Sequence, residues 1–255
     1  MATVNSVSNH SMDERTALFQ KSWEVYRSVI DGNWMFHREI YATIADLLDR
    51  EYSNRPLDML DLGCGDAGAI SHWLNRQPAL SYTGVDAAGE VLAMIPERVS
   101  GLRELVLITS AMEDFLRTCE NRYEVVLCSY ALHHLSGEGK REFVSNVKRC
   151  LKPGGIFILV DVLRNEGESR DEAVASYVRM MQTEWTSIYP EHLTLACEHV
   201  VEHDFPETFE VIAGMGDVAG FAPPMHLAVH DRHHAILFRN GSCAGGSATS
   251  TVNLD

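Results

Sequence analysis

Short apolar runs alternate with helix-like segments through the middle of this 255-residue chain. The runs carry the apolar and β-branched residues that favour buried strands, and the segments between them place apolar residues at helical spacing. Because crossovers between parallel strands are right-handed, five such steps predict a doubly wound parallel sheet with helices on both faces. The predicted strands are 58–62, 82–86, 105–109, 124–129 and 156–162, and the predicted helices are 67–76, 88–97, 112–118 and 139–151.

Helical patterns flank this alternating core. Residues 22–48 predict two helices interrupted at Asp31-Gly32-Asn33, because glycine and asparagine favour turns. After residue 163, helices are predicted at 168–185, at about 190–202 and from Pro206 onward. Strands at 227–230 and 235–238 then form a predicted hairpin around Asp231-Arg232.

Composition restricts the partners and the compartment. The net charge of -15, from 36 acids against 21 bases, opposes binding to nucleic acid or to an anionic membrane. The six cysteines form no C-x-x-C pair, which favours a reduced, cytoplasmic protein. No uninterrupted apolar stretch is long enough for a transmembrane helix, and the polar N-terminus lacks the core of a signal peptide. The sequence does not indicate an oligomeric state.

A glycine-rich loop follows the first predicted strand, in the run Leu60-Asp-Leu-Gly-Cys-Gly-Asp-Ala-Gly68. Its letters match the dinucleotide fingerprint G-x-G-x-x-G, with an acid about twenty residues on at Asp86. Asp61, however, would repel a pyrophosphate at the strand end, and Asp66 adds a second negative charge. An acidic glycine loop favours a cationic ligand without phosphate. S-adenosylmethionine, with its α-ammonium and sulfonium groups, has this chemistry.

Candidate cofactor-binding residues lie after the strands and on the N-terminal helices. Asp86 ends the second strand, where a carboxylate can accept hydrogen bonds from both ribose hydroxyls. Arg38 could bind the cofactor carboxylate through its guanidinium fork. The full predicted cofactor set is Asp61, Gly63, Cys64, Gly65, Asp86, Ala87, Ala111, Met112, Glu113, Ser129, Arg38 and Tyr26.

Two further motifs identify the family that the chain resembles. The fourth strand leads into Leu132-His133-His134-Leu135, and Leu151-Lys-Pro-Gly-Gly155 precedes the fifth strand. With the acidic glycine loop and Asp86, these motifs resemble the class I S-adenosylmethionine-dependent methyltransferases over about residues 57–163. The resemblance implies a seven-stranded, mostly parallel sheet whose antiparallel last strand belongs to the 227–238 hairpin.

The same resemblance assigns regions to parts of the cofactor. It implies loop 61–65 around the methionine part, Asp86 at the ribose and residues 111–113 at the adenine. This chain departs from the pattern at Ala111, where many relatives carry aspartate, so we expect the backbone at Met112 to supply the adenine contact. The implied domains are a flexible N-terminus at 1–14, a helical cap at 15–50, a methyltransferase domain at 51–240 with a helical cap insertion at about 165–220, and a disordered tail at 241–255.

The loop Ser129–His134 would lie over the sulfonium and face a methyl acceptor. Transfer to a hydroxyl or a protonated amine needs a base, and histidine titrates in the suitable range. The candidate catalytic residues are Tyr130, His133 and His134. We expect a small-molecule acceptor methylated on oxygen or nitrogen, in a pocket formed by Trp34, His37, Tyr177, Met181 and Trp185.

Other functions stay open from the sequence alone. The dinucleotide letters allow an NAD(P)-dependent oxidoreductase, and a catalytically silent cofactor-binding domain or a protein acceptor is also compatible. His199-Val-Val-Glu-His203 spells the zinc-peptidase motif H-x-x-E-H. Because this short motif falls in the cap segment of a methyltransferase-like chain, we expect no metal site there.

Overall fold

The computed structural model describes residues 24–53 and 55–241. The predicted flexible segment 1–14 lies outside these residues, as does the predicted tail apart from Gly241. The chain forms two compact units. Within the described residues, the helical unit comprises 24–39 and Glu168–Asp204, and the sheet unit comprises 40–53, 55–167 and 205–241.

One seven-stranded sheet organises the described part of the sheet unit, in the order β3-β2-β1-β4-β5-β7-β6. Strands β1 to β5 pair in parallel, and β7 runs antiparallel to both β5 and β6. The predicted doubly wound, mostly parallel sheet with an antiparallel last strand is therefore confirmed. The strands are β1 (Leu57–Leu62), β2 (Leu80–Asp86), β3 (Glu104–Thr109), β4 (Tyr123–Ser129), β5 (Leu151–Val162), β6 (Met225–His230) and β7 (His233–Arg239).

The strand order reverses between β1 and β4, and open parallel sheets bind ligands at the carboxyl ends of the strands beside such a point. The helices that connect and flank the strands follow the predicted pattern with local differences. In chain order they are α1 (24–31), α2 (His37–Tyr52), α3 (Ser71–Leu74), α4 (Gly89–Leu92), α5 (Ile95–Arg98), α6 (Met112–Thr118), α7 (Gly137–Cys150), α8 (Arg170–Glu184), α9 (Pro190–His203) and α10 (Phe209–Ala219).

Three predicted element boundaries are wrong. The helix expected at 67–76 is only Ser71–Leu74, because Ala67 adopts a left-handed backbone with φ 53° that cannot enter a right-handed helix. The helix expected at 88–97 is two short helices, since Pro96 lacks the N–H that a continuous helix would need there. The Leu-Lys-Pro-Gly-Gly run lies within β5, because Leu151 already pairs with Tyr123.

Aromatic side chains fill the core between β5, β7 and α7. The ring of Phe157 on β5 stacks with that of Phe238 on β7, at a centroid distance of 5.3 Å. Phe143 on α7 packs against Phe157 at 6.3 Å. Ser136 begins α7 by accepting a hydrogen bond from Gly139 N at 3.1 Å, which satisfies an otherwise unpaired donor. This packing fixes the carboxyl ends of β4 and β5 beside each other.

The helical unit has its own aromatic contacts. Trp34 stacks on Trp185 with ring centroids 6.2 Å apart, and Tyr177 meets Trp185 edge-on at 6.3 Å. Ser169 and Glu172 form a capping box that starts α8. Arg170 then donates to backbone carbonyls at the end of α9 and just beyond it, which holds the two helices together.

The chain leaves the sheet unit after β5 and returns to it just before α10. These two crossings are hydrogen-bonded to each other, since Arg164 N donates to Glu207 O at 3.0 Å. Lys140, which is 1% exposed, donates to the carbonyl of Phe205 and forms an ion pair with Glu207 at 3.1 Å. The returning crossing is therefore fixed to α7, and the outgoing crossing is fixed to the returning one. No helix within residues 24–53 and 55–241 is long and apolar enough to span a membrane.

Candidate active site

The glycine loop after β1 turns tightly over the end of β2. Gly63 and Gly65 have positive φ angles of 69° and 53°, which glycine adopts without strain. The backbone N–H groups of Gly63 and Cys64 both donate to Val85 O, at 2.8 and 3.1 Å. A Cβ added at Gly63 would lie 2.7 Å from the Cβ of Ala131. The loop therefore requires glycine for both its conformation and its close approach to the segment after β4.

Asp86 joins this loop to the end of β2. One carboxylate oxygen accepts from Gly65 N at 2.9 Å and the other from Ala88 N at 2.8 Å. Each carboxylate oxygen has two acceptor positions, so these bonds orient the group and leave acceptor capacity for a ligand. The arrangement suits the predicted contact with two ribose hydroxyls, which stays a prediction.

Asp61 is a buried acid at the end of β1, only 3% exposed. Tyr82 donates to its carboxylate at 2.8 Å. Burial, reinforced by the negative charge of Asp86, raises the pKa of Asp61 to about 7. A buried carboxylate of this kind is costly to ionise alone, and a cationic ligand would lower that cost. The pKa of the Cys64 thiol is also raised, by burial and then by the two aspartates, so this cysteine is not a nucleophile at neutral pH.

Asp66 forms local contacts within the glycine loop and an ion pair with Arg98. Its carboxylate accepts from Gly68 N at 2.9 Å and forms an ion pair with Arg98 at 3.0 Å. Asp66 was predicted to add a second negative charge to the loop, and the structure shows that Arg98 compensates this charge. A Cβ at Gly68 would lie 2.9 Å from the Asp66 carboxylate, so the missing side chain makes room for this local bond.

The residues predicted at the adenine lie after β3. Ser110 N donates to Asp86 O at 3.0 Å, which brings the ends of β2 and β3 together. Ala111 has an extended backbone and precedes α6, where Met112 is buried and Glu113 is half-buried. Ala87 follows Asp86 directly, and Ser129 ends β4. Their contacts with a cofactor remain predictions.

The candidate catalytic histidines form a short turn after β4. His133 is buried, and its Nδ1 hydrogen-bonds to the carboxylate of Asp161 on β5. Val162 N also donates to that carboxylate, at 2.9 Å. The ring of His134, which is exposed, meets the His133 ring edge-on at 4.1 Å. Asp161 was not among the predicted site residues, although an acid near the end of the apolar run 156–162 was a detectable signal.

Tyr130 has a backbone conformation that is uncommon for a residue with a side chain. Its φ is 52°, and its N–H donates to Val160 O at 2.7 Å. Its hydroxyl lies 3.2 Å from Nδ1 of His233, a fully buried residue on β7. Positive φ at a non-glycine residue concentrates at functional sites. His233 was not among the predicted site residues either, because histidines are frequent along the C-terminal half.

The remaining predicted residues belong to the helical unit and the start of α2. Burial lowers the pKa of His37 to about 4, so its imidazole is neutral at physiological pH. Arg38 is exposed and donates to the carbonyl of Asp31 at 3.0 Å. Tyr26 is 39% exposed on α1. The predicted acceptor residues Trp34, Tyr177, Met181 and Trp185 all lie in the helical unit, and its aromatic cluster joins the first, second and last of them.

These features define an open α/β protein with a nucleoside-type site at the strand ends. Asp61 matches a ligand cation, Asp86 matches a diol, and the Gly63 loop leaves no room for a side chain. A pyrophosphate in this place would be repelled by the Asp86 carboxylate and would raise the cost of ionising Asp61 further. The residues therefore fit S-adenosylmethionine better than a dinucleotide.

Comparison with known proteins agrees with this assignment. A family model described as "Methyltransferase domain" matches residues 60–157. Phosphoethanolamine N-methyltransferase from Plasmodium falciparum is 28% identical over 192 residues, which is 72% of this chain and 69% of that protein. An uncharacterized methyltransferase from Synechocystis sp. is 30% identical over 126 residues, 49% of this chain and 57% of that protein.

Solved structures share the fold. Magnesium protoporphyrin IX methyltransferase from Synechocystis PCC 6803, solved with bound S-adenosylhomocysteine, has a TM-score of 0.60 at 12% identity. The match covers 88% of this chain and 95% of that protein's chain. A putative O-methyltransferase from Nostoc punctiforme has a TM-score of 0.57 at 18% identity over 80% of this chain, and this chain spans 56% of its length. The chain is therefore similar to the class I S-adenosylmethionine-dependent methyltransferases over residues 60–157, which hold the glycine loop, Asp86 and the His133 turn, and the residues of this site fit S-adenosylmethionine. This likeness favours a methyltransferase over the dinucleotide oxidoreductase interpretation.

Proposed function

We propose that the chain transfers a methyl group to an oxygen or nitrogen atom of a small-molecule acceptor, with His133 as the base. The observation that carries this proposal is the buried His133–Asp161 pair at the ends of β4 and β5. S-adenosylmethionine supplies an electrophilic methyl carbon when bound. A hydroxyl or ammonium acceptor must lose a proton to attack that carbon, and a histidine paired with a carboxylate is suited to take it.

The bond to Asp161 determines which nitrogen of His133 can act. A carboxylate accepts hydrogen bonds, so it favours the tautomer with hydrogen on Nδ1 and leaves the lone pair on Nε2. As the acceptor atom bonds to the methyl carbon and the carbon–sulfur bond breaks, the acceptor proton passes to Nε2. Asp161 then stabilises the imidazolium without itself taking the proton.

The acceptor pocket is proposed to lie in the helical unit. The ring cluster formed by Trp34, Tyr177 and Trp185, with Met181 on the same helix as Tyr177, offers apolar and aromatic surface. Small-molecule sites are lined mainly by such side chains, with few polar groups. His37, kept neutral by burial, could contribute one of these polar groups. Phosphoethanolamine is the acceptor named for one relative, so a primary amine belongs among the acceptors to be tested.

The likeness to O-methyltransferases supports an oxygen acceptor equally well, at the level of the fold. Cytoplasmic location is part of the proposal too. Five cysteines within the described residues carry free thiols, and persisting free thiols are typical of a reducing compartment.

The decisive experiment measures release of S-adenosylhomocysteine with phosphoethanolamine and with panels of amines, phenols and carboxylates. With an accepted substrate, His133→Ala and Asp161→Asn should lower kcat by about 10² or more, the usual contribution of a general base. Cofactor affinity measured by calorimetry should stay unchanged in both variants. His134→Ala serves as the control, because its ring lies beside the pair and outside the bond to Asp161.

Each outcome has a definite meaning. Full activity in His133→Ala would refute the base assignment. Cofactor binding without methyl release from any acceptor class would instead support a catalytically silent domain. Asp161→Asn should also change the pH dependence of kcat, because it alters the protonation of His133 without removing the imidazole.

A further inference from the structure

Two histidines face each other across the β6–β7 hairpin. Nδ1 of His234 on β7 lies 3.1 Å from Nε2 of His226 on β6, with ring centroids 4.9 Å apart. The strands are antiparallel, and their register slips by one residue between His226 and Ala228. Irregularities of this kind redirect side chains and occur beside functional sites. Here the slip lies next to His226, which reaches diagonally across to His234.

Both imidazoles are in the form that binds metals. Burial, followed by the proximity of His226, lowers the pKa of His234 to about 4, although Asp231 in the hairpin turn acts in the opposite direction. Burial also lowers the pKa of His226. Metal ions bind neutral imidazole, so at neutral pH the pair need release no net proton, and the ring that donates in the contact presents a lone pair once its hydrogen moves to its other ring nitrogen. The ring of Phe209, with its centroid 4.1 Å from that of His226, restricts the orientation of that ligand.

The separation of the two nitrogens specifies a coordination angle. With metal–nitrogen bonds of about 2.1 Å, nitrogens 3.1 Å apart subtend about 95° at the ion. This is close to the right angle of square-planar and tetragonal sites, which Cu²⁺ and Ni²⁺ favour. A tetrahedral Zn²⁺ site would need the nitrogens about 3.4 Å apart. We propose that His226 and His234 chelate a divalent copper or nickel ion, with water in the remaining positions.

The proposed site would link the edge strand of the sheet to its neighbour. β6 lies at the end of the strand order and pairs with β7 alone within the described sheet. An ion bound to one residue of each strand favours the paired state, because ligands that bind only the folded form stabilise it. The site is separate from the H-x-x-E-H motif, whose His199 and His203 belong to α9 in the helical unit.

The test is calorimetric titration of NiCl₂ into the full chain after treatment with EDTA and desalting. The wild type should bind one equivalent that is lost in His226→Ala and in His234→Gln, with an apparent Kd at least ten-fold weaker in each. His234→Gln retains hydrogen-bonding groups, so it separates chelation from a simple polar contact. His230→Ala is the matched control, since it removes a histidine from the same edge strand and should keep the site.

Hydrogen exchange provides an independent readout. Ni²⁺ should slow exchange of the β6 amides in the wild type and in His230→Ala, and should have no effect on them in His234→Gln. Circular dichroism and thermal melting show that each variant is folded. Equal binding in the wild type and His234→Gln, or no saturable binding by the wild type, would overturn the proposal.

Discussion

Replacing Asp61 by asparagine should stabilise the fold and weaken cofactor binding. The structure raises the pKa of this carboxyl from 3.8 to about 7, chiefly by burial. A shift of this size, at 1.36 kcal/mol for each pH unit, corresponds to about 4 kcal/mol of native-state destabilisation above neutral pH. Asparagine keeps an oxygen for the Tyr82 hydroxyl and carries no charge. At about pH 8 we therefore expect Asp61→Asn to raise the free energy of unfolding by up to about 4 kcal/mol.

The direction of the pH dependence follows from the two pKa values. Between about pH 4 and pH 7 the unfolded chain has lost the Asp61 proton while the folded chain retains it. The free energy of unfolding therefore falls as pH rises through this window, and this group adds no further change above it. Below the window both states are protonated, so the wild type and the variant should there be equally stable with respect to this group.

Urea denaturation of the cofactor-free protein at about pH 4 and about pH 8 measures both limits. Asp58→Asn is a matched control on the same strand. Burial alone would raise the pKa of Asp58, but Lys152 and Arg103 lower it overall, so this variant should lose stability at the higher pH. The reasoning fails if Asp61→Asn shows no pH-dependent gain over the wild type, or if both variants change in the same direction.

Calorimetry with S-adenosylmethionine completes the test. If Asp61 holds the ligand cation, Asp61→Asn should bind about ten-fold or more weakly, the loss expected for a charge-assisted hydrogen bond. Wild-type affinity should rise with pH up to about 7 and level off beyond it, because binding favours the ionised carboxylate. Unchanged affinity would refute the role of Asp61 at the cofactor.

Two further pairs of substitutions test the glycine loop and the ion pair between Lys140 and Glu207. Gly63→Ala and Gly101→Ala share positive φ angles of 69° and 75°, which should cost about 1–2 kcal/mol each in urea denaturation. Only the first meets a close neighbour, at 2.7 Å, so it alone should abolish S-adenosylmethionine binding; equal binding by both variants would contradict the assignment of this loop. Lys140→Met should lower the free energy of unfolding by about 1–3 kcal/mol, because the Phe205 carbonyl loses its donor and the Glu207 carboxylate keeps only its longer ion pair with Arg164, at 3.7 Å. Adding Glu207→Gln should restore part of that loss, and no recovery would show that the loss has another cause.

Periodicity and local chemistry were sufficient to predict the sheet. The five parallel strands each appear as an apolar run, since strands covered on both faces leave few polar positions. The interruption at 31–33 correctly predicted two N-terminal helices. Asp61, Gly63, Gly65 and Asp86 were recognisable because positive φ, close approach and charge are properties of residue types at fixed spacing.

Features that depend on distant parts of the chain were not predictable. Asp66 is compensated by Arg98, which lies 32 positions later in the sequence. Asp161 and His133 meet only because β4 and β5 are neighbours in the sheet. No local pattern encodes such a pairing. In the sequence, His133 and Asp161 are therefore only two separate polar residues. The left-handed backbone of Ala67 likewise results from the loop as a whole.

The hydrogen bond between Arg164 N and Glu207 O has a consequence for how this architecture can change. Residues 168–204 leave and re-enter the sheet unit at positions that already contact each other. A short connection could join these two positions directly. The length and composition of the inserted segment can therefore vary without changing the strand register on either side. Residues 168–204 can therefore be exchanged as one unit. A different helical insertion could be grafted between Gly167 and Phe205 while the glycine loop and the sheet remain intact.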